Sequence, residues 1–152
     1  MTRSTSAALM ISCTAGATVL LGPATATAEA PEQARLAACE FGTVLSNYDY
    51  TDFEAYAQRV LDNSTGEFHE KFASARPALR AQFEANEVRS RVTAIECGSV
   101  SGNRVNADIL VHTTAALRNR DNDGGPEIVR TTTLVSLENH YGRWLAVGVE
   151  LR

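Results

Sequence analysis

The hydrophobic period of this chain changes once. Up to Phe83 the apolar residues recur at helical spacing, and from Arg89 to the end they alternate as in strands. A chain that spends its helices first and its strands second, with short connections, folds as an α+β domain. Its helices pack on one face of a curved antiparallel sheet. Ala37, Phe41, Val44, Leu45 and Tyr48 place one apolar face on a first helix, with a weaker stripe of Leu36, Cys39 and Thr43 on its far side. Phe53, Tyr56, Ala57, Val60 and Leu61 define a second helix, for which Gly66 is the expected stop. Phe68 and Phe72 open a third helical segment that Pro77 is expected to interrupt before Leu79 and Phe83 resume it. About four strands follow. A short one runs from Val92 to Cys97, closed by Gly98 and Gly102. The next three carry the alternations Val105, Ala107, Ile109, Val111; Val129, Thr131, Thr133, Val135, Leu137; and Leu145, Val147, Val149, Leu151, the last after a turn from Asn139 to Arg143.

Ahead of this pattern lies a leader. Arg3 precedes an apolar run from Ala7 to Leu21, followed by Gly22, Pro23 and small residues up to Ala30, the layout of a secretory signal peptide. Ala26-Thr27-Ala28 puts the expected cut after Ala28, so residues 1–28 are the signal peptide and 29–152 one domain. The rival reading is an uncleaved anchor. Its fifteen residues would span only about 22 Å of a roughly 30 Å hydrocarbon core, and four of them are polar or cysteine. The chain is therefore expected to be exported, to the envelope or beyond, with membrane association left open.

Removing Arg3 leaves thirteen basic against eighteen acidic residues. With no basic run, this balance argues against nucleic acid and against steering to an anionic lipid surface. Cys13 leaves with the leader, so Cys39 and Cys97 remain in a compartment that permits a disulfide; the alternative is a pair of buried thiols. No Cys-x-x-Cys is present, and His69-Glu70 lacks the second histidine of a zinc helix, so neither metal nor cofactor is expected. The acidic stretch Arg120 to Glu127 lacks the ligand spacing of a calcium loop and reads as a hairpin connection.

The segment YDYTDFEAY, Tyr48 to Tyr56, holds the densest set of acid and phenol groups. Thr51 and Glu54 have the spacing of a capping box, Asp52 falls in the first helical turn, and Tyr48 and Tyr56 sit on apolar stripes. Asp49 and Tyr50 are left to a polar interhelical turn.

The order of elements resembles the nuclear-transport-factor-2-like, or cystatin-like, cone. Within that group, Leu36-Ala37-Ala38, the Leu45 to Tyr50 junction, Arg59-Val60-Leu61 running into Thr65-Gly66-Glu67-Phe68, and the ending Gly142-Arg143-Trp144-Leu145 are similar to Mce-associated proteins. These accompany mammalian-cell-entry lipid importers. The resemblance implies a noncatalytic accessory of the envelope, with importer components as partners, a lipid or sterol as a candidate ligand, and no catalytic site to transfer. The competing expectation comes from the cone enzymes, ketosteroid isomerase and the polyketide cyclases, which set an Asp base in an apolar cavity. For that reading the groups to test are Asp108, His112, Asp49 and Tyr48. Asp108 and His112 share one strand face about 13 Å apart, too far for a hydrogen-bonded pair, and their plain reading is a solvated sheet face. His69 and His140 are expected on a helix surface and in a turn.

Overall fold

A computed structural model describes residues 29–122 and 125–152. The leader and its expected cleavage site lie outside the described residues. The order is α1 (Glu32–Ser46), β1 (Tyr48–Asp49), a 3-10 turn (Tyr50–Asp52), α2 (Phe53–Asp62), α3 (Gly66–Asn86), β2 (Arg89–Gly102), β3 (Asn106–Arg118), β4 (Glu127–His140) and β5 (Arg143–Leu151). The strands form one antiparallel sheet in sequence order, strongly curled, with the three helices packed against it. The sequence predicts about four strands. The fifth is β1, formed where a polar turn is expected, and it pairs Tyr48 with Ser90 and Asp49 with Arg89.

The inner face of the sheet follows the predicted alternation in β3, where Ala107, Ile109, Val111, Thr113 and Ala115 are buried, as are Val135 and Leu137 of β4. Val105 falls outside its expected strand and is exposed. Two features alter the outer strands. β2 runs straight through Gly98 to Gly102 rather than stopping at Cys97, with irregularities after Val92 and Ser99. In β5, Ser136 pairs with Gly148 and Leu137 with Ala146, leaving Val147 as an extra residue. That bulge reverses the phase, so Trp144 and Ala146 are buried where simple alternation predicts Leu145 and Val147. The β4–β5 hairpin turns on Tyr141 (φ 54°) and Gly142 (φ 92°), the two left-handed residues a tight primed turn requires.

The helices meet this face through α1, whose Ala34, Ala38, Phe41 and Gly42 are buried, while Leu36 of the far stripe is exposed. α1 lies so close to the sheet that a Cβ on Gly42 would stand 2.7 Å from Val111 Cγ1. Cys39 faces β2 and is bonded to Cys97, with Cα atoms 5.9 Å apart, closing 58 residues of chain.

Two expectations for α2 and α3 are corrected. α2 ends at Asp62, and Gly66 opens α3 at φ 60° instead of stopping α2. Between them Ser64 bridges to Ala146, so the connection docks on β5. α3 passes through Pro77 without a break. Pro77 and Ala73 one turn earlier are exposed, so the carbonyl left without an N–H can be hydrated. No helix among the described residues is long and apolar enough to cross a membrane.

Candidate functional site

The Tyr48–Tyr56 segment forms the junction of α1, β1 and α2, and most of its polar groups are already engaged. Asp49 Oδ1 accepts from the Thr51 backbone N–H at 2.9 Å and from the Thr51 hydroxyl at 2.6 Å, and its other oxygen lies 3.2 Å from Arg89 Nε. The Thr51 hydroxyl and N–H, with Arg89 adding charge, hold the Asp49 carboxyl below the usual carboxylate range. The expected capping box is absent: the residue preceding α2, Asp52, makes no side-chain cap, and Glu54 turns away to pair with Arg76 and, at 3.2 Å, with Arg80 of α3. The one-turn offset arises because Tyr50–Asp52 winds as a 3-10 turn, and Asp49 caps that turn instead.

The two tyrosines are packing groups. Tyr48, Phe53, Tyr56 and Phe83 form a cluster with ring centroids 4.8 to 6.0 Å apart, which Phe72 extends at 6.2 Å from Tyr56. Burial raises both phenol pKa values, so both rings stay protonated at neutral pH. Tyr56 donates its hydroxyl to the Leu45 carbonyl at 3.2 Å. Phe41 and Phe68 continue the aromatic layer at 5.6 Å.

Asp108 and His112 lie on the face of the sheet away from the helices, alternating with buried Ile109 and Val111. Asp108 accepts from Ser136 Oγ at 2.7 Å and Ser101 Oγ at 3.1 Å. Two rows away, His112 Nδ1 is 2.9 Å from Thr132 Oγ1. The four groups tested for an enzyme are thus divided between a sheet corner and the outer face, and the structure brings no two of Asp49, Asp108 and His112 together. His69 is half-buried rather than on a free surface: its Nδ1 lies 3.2 Å from the carbonyl oxygens of both Leu61 and Ser64, which makes that nitrogen the donor. His140 is at the end of β4, beside Glu138. Among the described residues no group of three His, Cys, Asp or Glu could hold a metal; the acidic loop lies partly outside them at Asp123.

The sequence reading missed a cluster of arginines. An open groove of about 850 Å³ runs beside Tyr48 and Asp49, and Arg59, Arg89, Arg91 and Arg118 line it together with Asp52. Arg89 and Arg118 are direct cross-strand partners, and Arg89 also lies 5.0 Å over the Tyr50 ring. The alternation Arg89-Ser90-Arg91 was the available signal, since it sets two guanidinium groups on one strand face. Arg59 and Arg118 join them only through the tertiary fold. No protein-family model, no curated protein and no solved structure matches this chain.

Proposed function

We propose that this chain is a noncatalytic accessory domain of the cell envelope, exported and working through protein partners, in the manner of the Mce-associated proteins it resembles in sequence. The observation that carries the noncatalytic part is the division of Tyr48, Asp49, Asp108 and His112 between two faces. There each meets a hydroxyl, a guanidinium or an aromatic neighbour that accounts for it. A cone enzyme needs a base and an oxyanion donor converging on one reacting atom. Here the layer between helices and sheet is occupied by aromatic rings and by Ile109, Val111 and Val135. Helices before strands, on one side of a curled antiparallel sheet, support the nuclear-transport-factor-2-like cone as the finer fold assignment.

Crosslinking in intact cells tests the partner. Lipid-importer subunits recovered with the wild-type chain support the accessory role. Turnover of steroid or polyketide substrates by the purified chain, lost in Asp108→Asn, would replace it with an enzyme.

A further inference from the structure

The arginine groove carries a second reading that does not depend on the accessory role. In the row β1–β2–β3, Asp49, Arg89 and Arg118 are successive cross-strand partners. Asp49 neutralises Arg89, which leaves Arg118 facing a like charge across the ladder, an arrangement that by itself disfavours folding. Arg91 stands on the same strand face two residues along, and Arg59 reaches the groove from α2. None of Arg59, Arg91 and Arg118 forms an ion pair among the described residues; Arg104, Arg130 and Arg143 form none either, but they lie outside the groove, so what sets the three apart is that they line one groove together. Four arginines against Asp49 and Asp52 give this one groove a surplus of two positive charges, in a chain whose net charge is −4.

We propose that this groove binds a phosphate group in its dianionic form, held by Arg91 and Arg118 from the sheet and by Arg59 from the helical wall. Guanidinium forks suit phosphate oxygens, and the dianion matches the surplus charge where a single carboxylate would leave half of it uncompensated. The same chemistry is offered by a lipid phosphate headgroup and by a small soluble phosphate monoester.

The test uses the full chain, followed by amide NMR at low ionic strength. The titrants are glycerol 3-phosphate and, separately, phosphatidylcholine vesicles with and without phosphatidic acid. Saturable binding centred on Arg91 and Arg118 is expected, weakened about tenfold or more in the Arg91→Ala/Arg118→Ala double variant and unchanged in Arg104→Ala, an exposed arginine outside the groove. Saturation by glycerol 3-phosphate alone identifies a soluble phosphate. The same residue dependence only on phosphatidic acid vesicles identifies a headgroup. The double variant is expected to keep or exceed the wild-type Tm, because it removes the like-charge pair of Arg89 and Arg118, whereas a merely structural role for the two arginines would lower it. The proposal is overturned if neither titrant saturates, if Arg104→Ala weakens binding as much as the double variant, or if a glutamate-rich peptide binds more tightly than the phosphate.

Discussion

At the residue scale, what looks like catalytic equipment is mostly local architecture. Asp49 shows this best, because three partners use its charge at once: the Thr51 hydroxyl, the Thr51 N–H and Arg89. Replacing it by Ala is expected to cost about 1 kcal/mol, within the usual range for a lost capping residue and reduced by the exposure of the ion pair. Because its folded pKa is depressed, this contribution is fully present above the unfolded value near 3.9 and is lost as the pH falls through the lower folded value. Urea melts of wild type and Asp49→Ala should therefore differ at neutral pH and converge in strong acid. The sequence allowed this segment to be read as a helix start, and a helix start it is. The wrong detail was which residue caps it, since a 3-10 turn inserts three residues that no spacing rule for an α-helix anticipates. Gly42 is a second residue whose role was hidden in the sequence. A helical Gly→Ala change ordinarily adds up to about 1 kcal/mol of helix propensity. Here the new methyl would meet Val111 at 2.7 Å and Ile95 at 3.2 Å, so Gly42→Ala is expected to destabilise by about 1–3 kcal/mol in the same assay.

At the element scale, periodicity located each helix and long strand but not where chemistry bends the rule. Ala107, Ile109 and Val111 kept their alternation because β3 lies between two long neighbours that fix its register. β5 has only β4 beside it over most of its length, and the extra residue at Val147 inverts its phase, a feature that alternation cannot reveal because ahead of the bulge Trp144 and Ala146 are as apolar as Leu145 and Val147. α3 tests a different limit. Pro77 in an exposed helix interior costs up to about 3 kcal/mol relative to Ala, offset in part by the stiffer unfolded chain, so Pro77→Ala is expected to stabilise the protein by about 1–2 kcal/mol. A rise in the urea midpoint without a change of slope would check it. The Cys39–Cys97 bond joins α1 to β2, a covalent link between the helical and strand halves in addition to the backbone between α3 and β2. Closing 58 residues restricts the unfolded chain by about 4 kcal/mol in the loop-entropy account, so reduction, or paired Cys→Ser changes, should lower stability by up to that amount.

At the scale of the whole molecule, the change of period placed the helices on one side of an antiparallel sheet, and the rest follows from how that space is filled. Phe41, Phe53, Tyr56, Phe68, Phe72 and Phe83 supply the helical side, and Ile109, Val111, Val135 and Leu137 the sheet side. The arginine groove was legible in the sequence only as the Arg89-Ser90-Arg91 alternation, because Arg59 and Arg118 join it only after the sheet curls beside α2. The helices and sheet enclose packed side chains rather than a working hollow. Amide NMR of the folded chain titrated with a sterol tests this most directly. With the space between helices and sheet filled, no saturable shifts are expected at Ile109, Val111 or Tyr56; saturable shifts centred on those three residues would mean that a ligand enters between them.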